Sequence, residues 1–249
     1  MIIDFHAHIG ESRIFARNSG SARSLVEMMD RNKIEKAVLI PTATPPRPRY
    51  YEDVMNALKE YPDRFYGFFL ANPRDQNVCS LLDMVVNKYG FIGVKLHPTF
   101  LGFPADDRTL VYPIMEKARE LKILVIFHSD PTVYATPWQV GLVALDFPEV
   151  TIVMAHMGFL AIVYNDAAIQ MAKKAPNLYL DTTGVYSTEK IAQAVRELGA
   201  TRVIYGSDMP FHDPAFEMSK IGYVKISEED KKLVWGGNAK RLLDPFSQK

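Results

Sequence analysis

The 249-residue sequence predicts an α/β fold, a single (β/α)8 barrel of the TIM type, and three observations carry that expectation. Eight short runs rich in apolar and β-branched residues recur at residues 2–5, 36–40, 64–70, 91–96, 123–127, 151–155, 177–180 and 202–206. Stretches of helical periodicity separate them, the alternation expected of parallel strands joined by crossover helices. The runs are spaced by roughly 30 residues, what one strand, one helix and two loops need. No linker, low-complexity tract or shift in composition divides the chain, so residues 1–249 read as one domain.

The helices are expected at residues 21–31, 51–61, 77–89, 109–121, 137–147, 160–175 and 188–198, with two closing segments at 213–222 and 227–243. Several carry start signals. Ser187-Thr188-Glu189 and Asp106-Asp107 put capping side chains before apolar-periodic stretches, and Pro137 suits a first helical turn. Residues 41–50 contain four prolines and cannot continue as helix. They read as a rigid surface connection or as a wall over the active site, where Arg47 or Arg49 would meet an anionic substrate.

Composition narrows the function classes. Hydrophobic residues make up 48% and charged residues 23%, the balance of a soluble globular protein, and formal net charge is zero. With no positive field to hold a polyanion, nucleic acid is not an expected partner. Cys79 is the only cysteine, which excludes an intramolecular disulfide and a thiolate metal cluster. The start of the chain shows strand pattern rather than a basic, then apolar, leader, and no apolar run has membrane-spanning length. A cytoplasmic protein acting on a small molecule is the expectation.

Five of the six histidines fall at strand ends: His6, His8, His97, His128 and His156. In a parallel barrel all those ends gather on one face, so residues distant in sequence converge there. Strand alternation puts His6 and His8 on one side, with Phe5 and Ala7 on the other, so the two imidazoles can share one cation. Asp4 has the same parity one step deeper and is expected to accept a ring N–H and fix a ligand tautomer. His128 and Asp208 would complete a set of three imidazoles and a carboxylate. Gly206 leaves room beside them. His156 would bind a second metal or carry protons beside the first. Lys95 and His97 share parity, and a lysine inside a barrel is costly unless paired, carbamylated or bound to substrate. His212, after the last strand, is near the mouth or simply solvated.

In order along the chain, IIDFHAH, GVKLHP, VIFHSD, MAHMG, YLDTTG, YGSDMP and GGNAKRLL resemble the amidohydrolase superfamily. The likeness is to the amidohydrolase-related branch that includes aminocarboxymuconate-semialdehyde decarboxylase and hydroxybenzoate decarboxylases. It implies a barrel with a catalytic divalent metal, commonly zinc, held at His6, His8, His128 and Asp208, with His156 matching a catalytic histidine. In binuclear relatives a carbamylated strand-four lysine bridges two metals, and Lys95 matches that position. Because His97 occupies the more terminal place on the strand, one metal is expected and a second is left open. The acid that TatD-type deoxyribonucleases carry on strand four is absent, replaced by Gly93-Val94-Lys95-Leu96. Relatives often dimerise, so a homodimer is left open too.

The leading expectation is hydrolysis of a small-molecule amide, ester or lactone by metal-activated water, with Asp208 taking the proton and His156 assisting the leaving group. The alternative is non-oxidative decarboxylation of an unsaturated or aromatic acid at the same ligands. A third reading, of another class, is a barrel that binds metal or metabolite without turnover.

Overall fold

A computed structural model describes residues 1–11, 20–42 and 51–247. Arg47 and Arg49 lie outside the described residues. Eight strands form one parallel sheet in sequence order: β1 (Ile3–Ile9), β2 (Lys36–Pro41), β3 (Phe65–Leu70), β4 (Gly93–Leu96), β5 (Leu124–His128), β6 (Ile152–Ala155), β7 (Leu178–Asp181) and β8 (Val203–Ile204). The barrel expectation therefore holds. β8 is only two residues long, and the chain beyond it closes the ring on β1: the amides of His8 and Asp208 donate to the carbonyls of Met209 and His6, both at 2.7 Å.

The helices are α1 (Ala22–Arg31), α2 (Tyr51–Glu60), α3 (Val78–Tyr89), α4 (Pro98–Leu101), α5 (Tyr112–Leu121), α6 (Pro137–Asp146), α7 (Ile162–Lys174) and α8 (Thr188–Leu198), followed by α9 (Pro214–Tyr223), α10 (Glu228–Lys232) and α11 (Asn238–Leu243). Local chemistry sets their ends. Thr136 and Gln139 form a capping box at the start of α6, and Ser187 accepts from the Lys190 amide at the start of α8. The single turn α4 was not expected; His97 caps it by accepting from the Phe100 amide. No helix among the described residues is long and apolar enough to cross a membrane.

Apolar side chains form two layers. Phe5, Val38, Ile40, Phe68, Ile126, Val153 and Ile204 pack in one cluster with Ala239 and Leu243 of α11, filling the barrel and plugging its lower end. The alternate residues, such as Leu39, Val94, Phe127, Met154 and Leu180, face the surrounding helices. Gly93 has no side chain because Phe68 fills its place: a Cβ there would lie 2.4 Å from the Phe68 ring.

β1 departs from simple alternation. Its register with β2 shifts between Asp4 and Ala7, a bulge that puts one extra residue in β1. Below it Ile3 and Phe5 face the barrel interior; above it Ala7 and Ile9 face the helices, so His6 and His8 point inward. The expected pairing of Phe5 with Ala7 on one face is thus corrected. The expectation for Asp4 fails for the same reason. Its carboxylate is turned from the imidazole rings and accepts instead from the backbone amides of His6 and Ser207, each at 3.0 Å, and from the Ser207 hydroxyl.

Candidate metal centre

His6 is the hub of the inward-facing polar residues. Its Nε2 lies 3.2 Å from His8 Nε2, 3.1 Å from Lys95 Nζ and 3.5 Å from Asp208 Oδ1. His8 Nε2 is itself 2.9 Å from Asp208 Oδ1. One donor atom from each of His6, His156 and Asp208 lies within 4.8 Å of the other two. Residues near positions 6, 95, 156 and 208 meet because β1, β4, β6 and β8 end on the same face.

What stands behind the rings decides which nitrogens are bare. The Nδ1–H of His6 donates to Asp181 Oδ2 at 2.6 Å, and Asp181 is held in turn by the amide and hydroxyl of Thr183 at 2.8 and 2.6 Å. His156 Nδ1 lies 3.1 Å from the Thr183 carbonyl oxygen. A carbonyl only accepts, so that nitrogen carries the proton and Nε2 keeps its lone pair. Asp181 therefore does for His6 what Asp4 was expected to do. It stands at the end of β7 inside YLDTTG, and the strand-end rule that selected the histidines would have selected it too.

Charge is arranged to the same end. Burial holds His156 down at about 4, helped by the neighbouring His6, and burial together with Lys95 holds His6 well below its ordinary value. Burial alone would raise Asp208, but the hydrogen bond with His8 and the electrostatic pull of the His8 and His6 rings hold its carboxyl well below the usual range. The neutral imidazoles of His6 and His156 thus face the Asp208 carboxylate, with Lys95 as the nearby cation. Burial lowers Lys95 from 10.5 to about 8, against the pull of Asp208 and Asp181.

Backbone strain accompanies the cluster. His156 and Asp208 have φ of +67° and +63°, a left-handed conformation that costs non-glycine residues about 1–3 kcal/mol each. Gly206 makes the close approach between β8 and β1 feasible, as expected: a Cβ there would lie 2.5 Å from Thr183 Oγ1 and 2.7 Å from His6 Cβ.

His97 and His128 form an adjoining pair, stacked with ring centroids 3.8 Å apart. His128 Nε2 contacts Asp130 Oδ2 at 3.0 Å, and its ring sits 4.7 Å from that of His156. His128 is therefore beside the three-donor group rather than within it. His212 Nδ1 lies 3.4 Å from Glu217, and its amide donates to the Asp208 carbonyl at 3.4 Å, so it sits at the edge of the cluster, near enough to Asp208 for that charge to act on it. Glu217 pairs with Lys220, and the two grip the loop after β7: Lys220 Nζ donates to the Thr182 carbonyl at 2.8 Å, and the Gly184 amide faces Glu217 at 3.3 Å. Sequence reasoning missed this pair, which reads as ordinary helix surface.

Two nitrogen lone pairs and a carboxylate oxygen, fixed from behind by Asp181 and Thr183, fit a divalent cation. His8 Nδ1, buried and without a hydrogen-bond partner, leaves that ring's orientation to its Nε2 side. Fold and donor set together define a barrel enzyme of the metal-dependent class. The chain belongs to the Amidohydro_2 amidohydrolase family, which it matches over residues 3–244. It is 26% identical to a gamma-resorcylate decarboxylase of Polaromonas sp., over 73% of this chain and 71% of that protein. Among solved structures it resembles 2,6-dihydroxybenzoate decarboxylase complexed with 2,6-dihydroxybenzoate (TM-score 0.76, 17% identity, 98% and 99% of the two chains). It also resembles a dihydroxybenzoic acid decarboxylase from Polaromonas sp. with bound manganese and 2-nitroresorcinol (TM-score 0.76, 18% identity, 98% and 96%).

These relatives overturn the expectation of hydrolysis, since those matched by sequence are decarboxylases. Ligands, proton carrier and cationic clamp are common to both reactions, so residue types at strand ends do not separate them. Zinc as the specific metal gains no support either: the dihydroxybenzoic acid decarboxylase from Polaromonas sp. holds manganese.

Proposed function

We propose that the protein catalyses non-oxidative decarboxylation of a hydroxylated aromatic carboxylic acid. The observation that carries this reading is the sequence match to gamma-resorcylate decarboxylase across most of the chain. The site is compatible with that chemistry. His6, His8 and Asp208 would hold a divalent cation, with a third imidazole, from the adjacent pair His156 and His128, as the fourth ligand. When bound, the cation supplies positive charge to a substrate carboxylate and a neighbouring hydroxyl oxygen.

The remaining steps fall to side chains of the chain. The bond between the ring and the carboxyl group breaks, CO2 leaves, and the ring carbon takes a proton. Asp208 is the proton carrier in this reading: ionised in the resting site, with Oδ1 facing His6 and His8, its carboxylate would take the hydroxyl proton of the bound substrate and pass it to the ring carbon, leaving the product as a phenolate. The stacked His97 and His128 line the space beside the cluster, and with both held neutral by burial they offer hydrogen bonds without adding charge. Lys95 balances the carboxylates from within the barrel.

The test is to load the protein with manganese or zinc and offer a panel of mono- and dihydroxybenzoates in D2O. CO2 release with deuterium at the vacated ring position is expected, and Asp208→Asn abolishes it. No CO2 from any hydroxybenzoate with metal-loaded protein overturns the reading. Metal content of His156→Ala and His128→Ala identifies the fourth ligand.

A further inference from the structure

Alternation along β6 sends Ile152 and Met154 toward the surrounding helices and Val153 and Ala155 into the barrel interior. The next position would face the helices again, yet His156 stands in the metal cluster, its ring 5.0 Å from that of His6. His128 needs no such exception, since it follows the interior residue Ile126 by two positions. The backbone makes the difference. His156, Met157, Gly158 and Phe159 have φ of +67°, +46°, +83° and +65°, four left-handed residues in a row, of which only Gly158 lacks a Cβ. The turn closes with the Phe159 amide donating to the His156 carbonyl at 2.6 Å.

Strain of this kind persists only where the surroundings over-determine it, and two buried side chains do so. Asn165, 2% exposed in the first turn of α7, donates through Nδ2 to the carbonyls of Met157 at 2.8 Å and Phe159 at 3.0 Å. Ser129, fully buried and next after His128, accepts from the Gly158 amide and donates to the Ala155 carbonyl, both at 2.8 Å. The ring of Phe159 completes the hold, edge-on to His156 at 5.2 Å and filling the space that a side chain at Gly184 would need.

We propose that Asn165 and Ser129 are positioning residues that turn His156 from the helix side of β6 into the metal donor set, independently of the reaction the metal serves. With the turn fixed, His156 Nδ1 meets the Thr183 carbonyl and Nε2 is left to the centre. Ser129 also ties the end of β5 to the end of β6, so His128 and His156 are set by one hydroxyl.

Metal affinity, read by competition with a chelator, tests the proposal through Asn165→Leu, which nearly keeps the side chain's size and removes both donors. Affinity is expected to fall about 10- to 100-fold, as for other residues that orient ligands, and in the same direction as in His156→Ala. Added to His156→Ala, Asn165→Leu is expected to lower it no further, because the two act through one ring. Asn177→Leu is the control. Asn177 makes the same kind of bonds at the other end of the barrel, donating to the carbonyls of Ala144, Phe147 and Val150 at 3.0, 2.9 and 2.9 Å. Its replacement is expected to lower stability in urea and leave metal affinity unchanged. Ser129→Ala is the milder change and carries the same expectation if Asn165→Leu does not fold. Wild-type affinity in the folded variant overturns the proposal, as does a loss that persists when His156 is already alanine or an equal loss in Asn177→Leu.

Discussion

The ring nitrogens of His6 and His156 are committed by what they donate to on the far side, and this makes the residues behind them testable. Asp181→Asn removes the charge facing His6 Nδ1 while keeping the side chain's size. Metal affinity is expected to fall about 10- to 100-fold, read by competition with a chelator; unchanged affinity shows that His6 is not a ligand. Asp4 gives a second test, through pH. Burial raises its carboxyl from 3.8 to about 7, against hydrogen bonds from Ser207 and the His6 amide. Between those values the folded chain holds a proton the unfolded chain has released. The contribution to stability is therefore fully present below about pH 3.8 and is lost as pH rises through about 7. In urea titrations of metal-free protein, wild type should lose stability relative to Asp4→Asn across that window; parallel curves would contradict a protonated Asp4. At this scale the histidines were legible because five of six fall where strands end. Asp4 was misplaced because a bulge breaks the alternation on which its assignment rested, and no side-chain pattern in IIDFHAH announces it.

At the scale of elements, contacts between neighbouring strands and loops give sharper tests than the ligands do. Gly206→Ala puts a methyl group against His6, Thr183 and Asp181 at once. Overpacking of this kind costs about 1–3 kcal/mol, and the variant should lose metal affinity along with stability, measured by urea unfolding and chelator competition. The Glu217–Lys220 pair is buried, so removing one partner is costlier than removing both. Lys220→Met is expected to destabilise by about 3–5 kcal/mol and Lys220→Met with Glu217→Leu to recover most of it. Equal loss in both would show that the pair's value lies in its bonds to Thr182 and Gly184 rather than in charge compensation. The elements themselves were readable because interior and exterior strand faces are both apolar, giving short continuous runs bounded by helix signals. α4 escaped because one turn is shorter than any periodicity, and its cap is a histidine that had been read for chemistry.

For the whole molecule, a ligand held by the folded chain alone raises its stability by mass action. A divalent cation at a hundredfold excess over its dissociation constant contributes about 2.7 kcal/mol. For a chain of this size that is a rise of about 5–10 °C in melting temperature, which chelation should reverse and His6→Ala should abolish. Barrel closure was predictable from eight runs at regular spacing; the identity of the reaction was not, because it depends on how substrate sits among shared groups. Closure has a further consequence. The bond from the Ser207 amide to Asp4 spans 203 positions, and the first strand receives its last neighbour only when the end of the barrel arrives. On the ribosome, His6 and His8 emerge long before Asp208, which joins them only after the intervening strands are made. Such distant contacts are slow to form, so an unfinished chain has no assembled centre with which to capture metal from its surroundings.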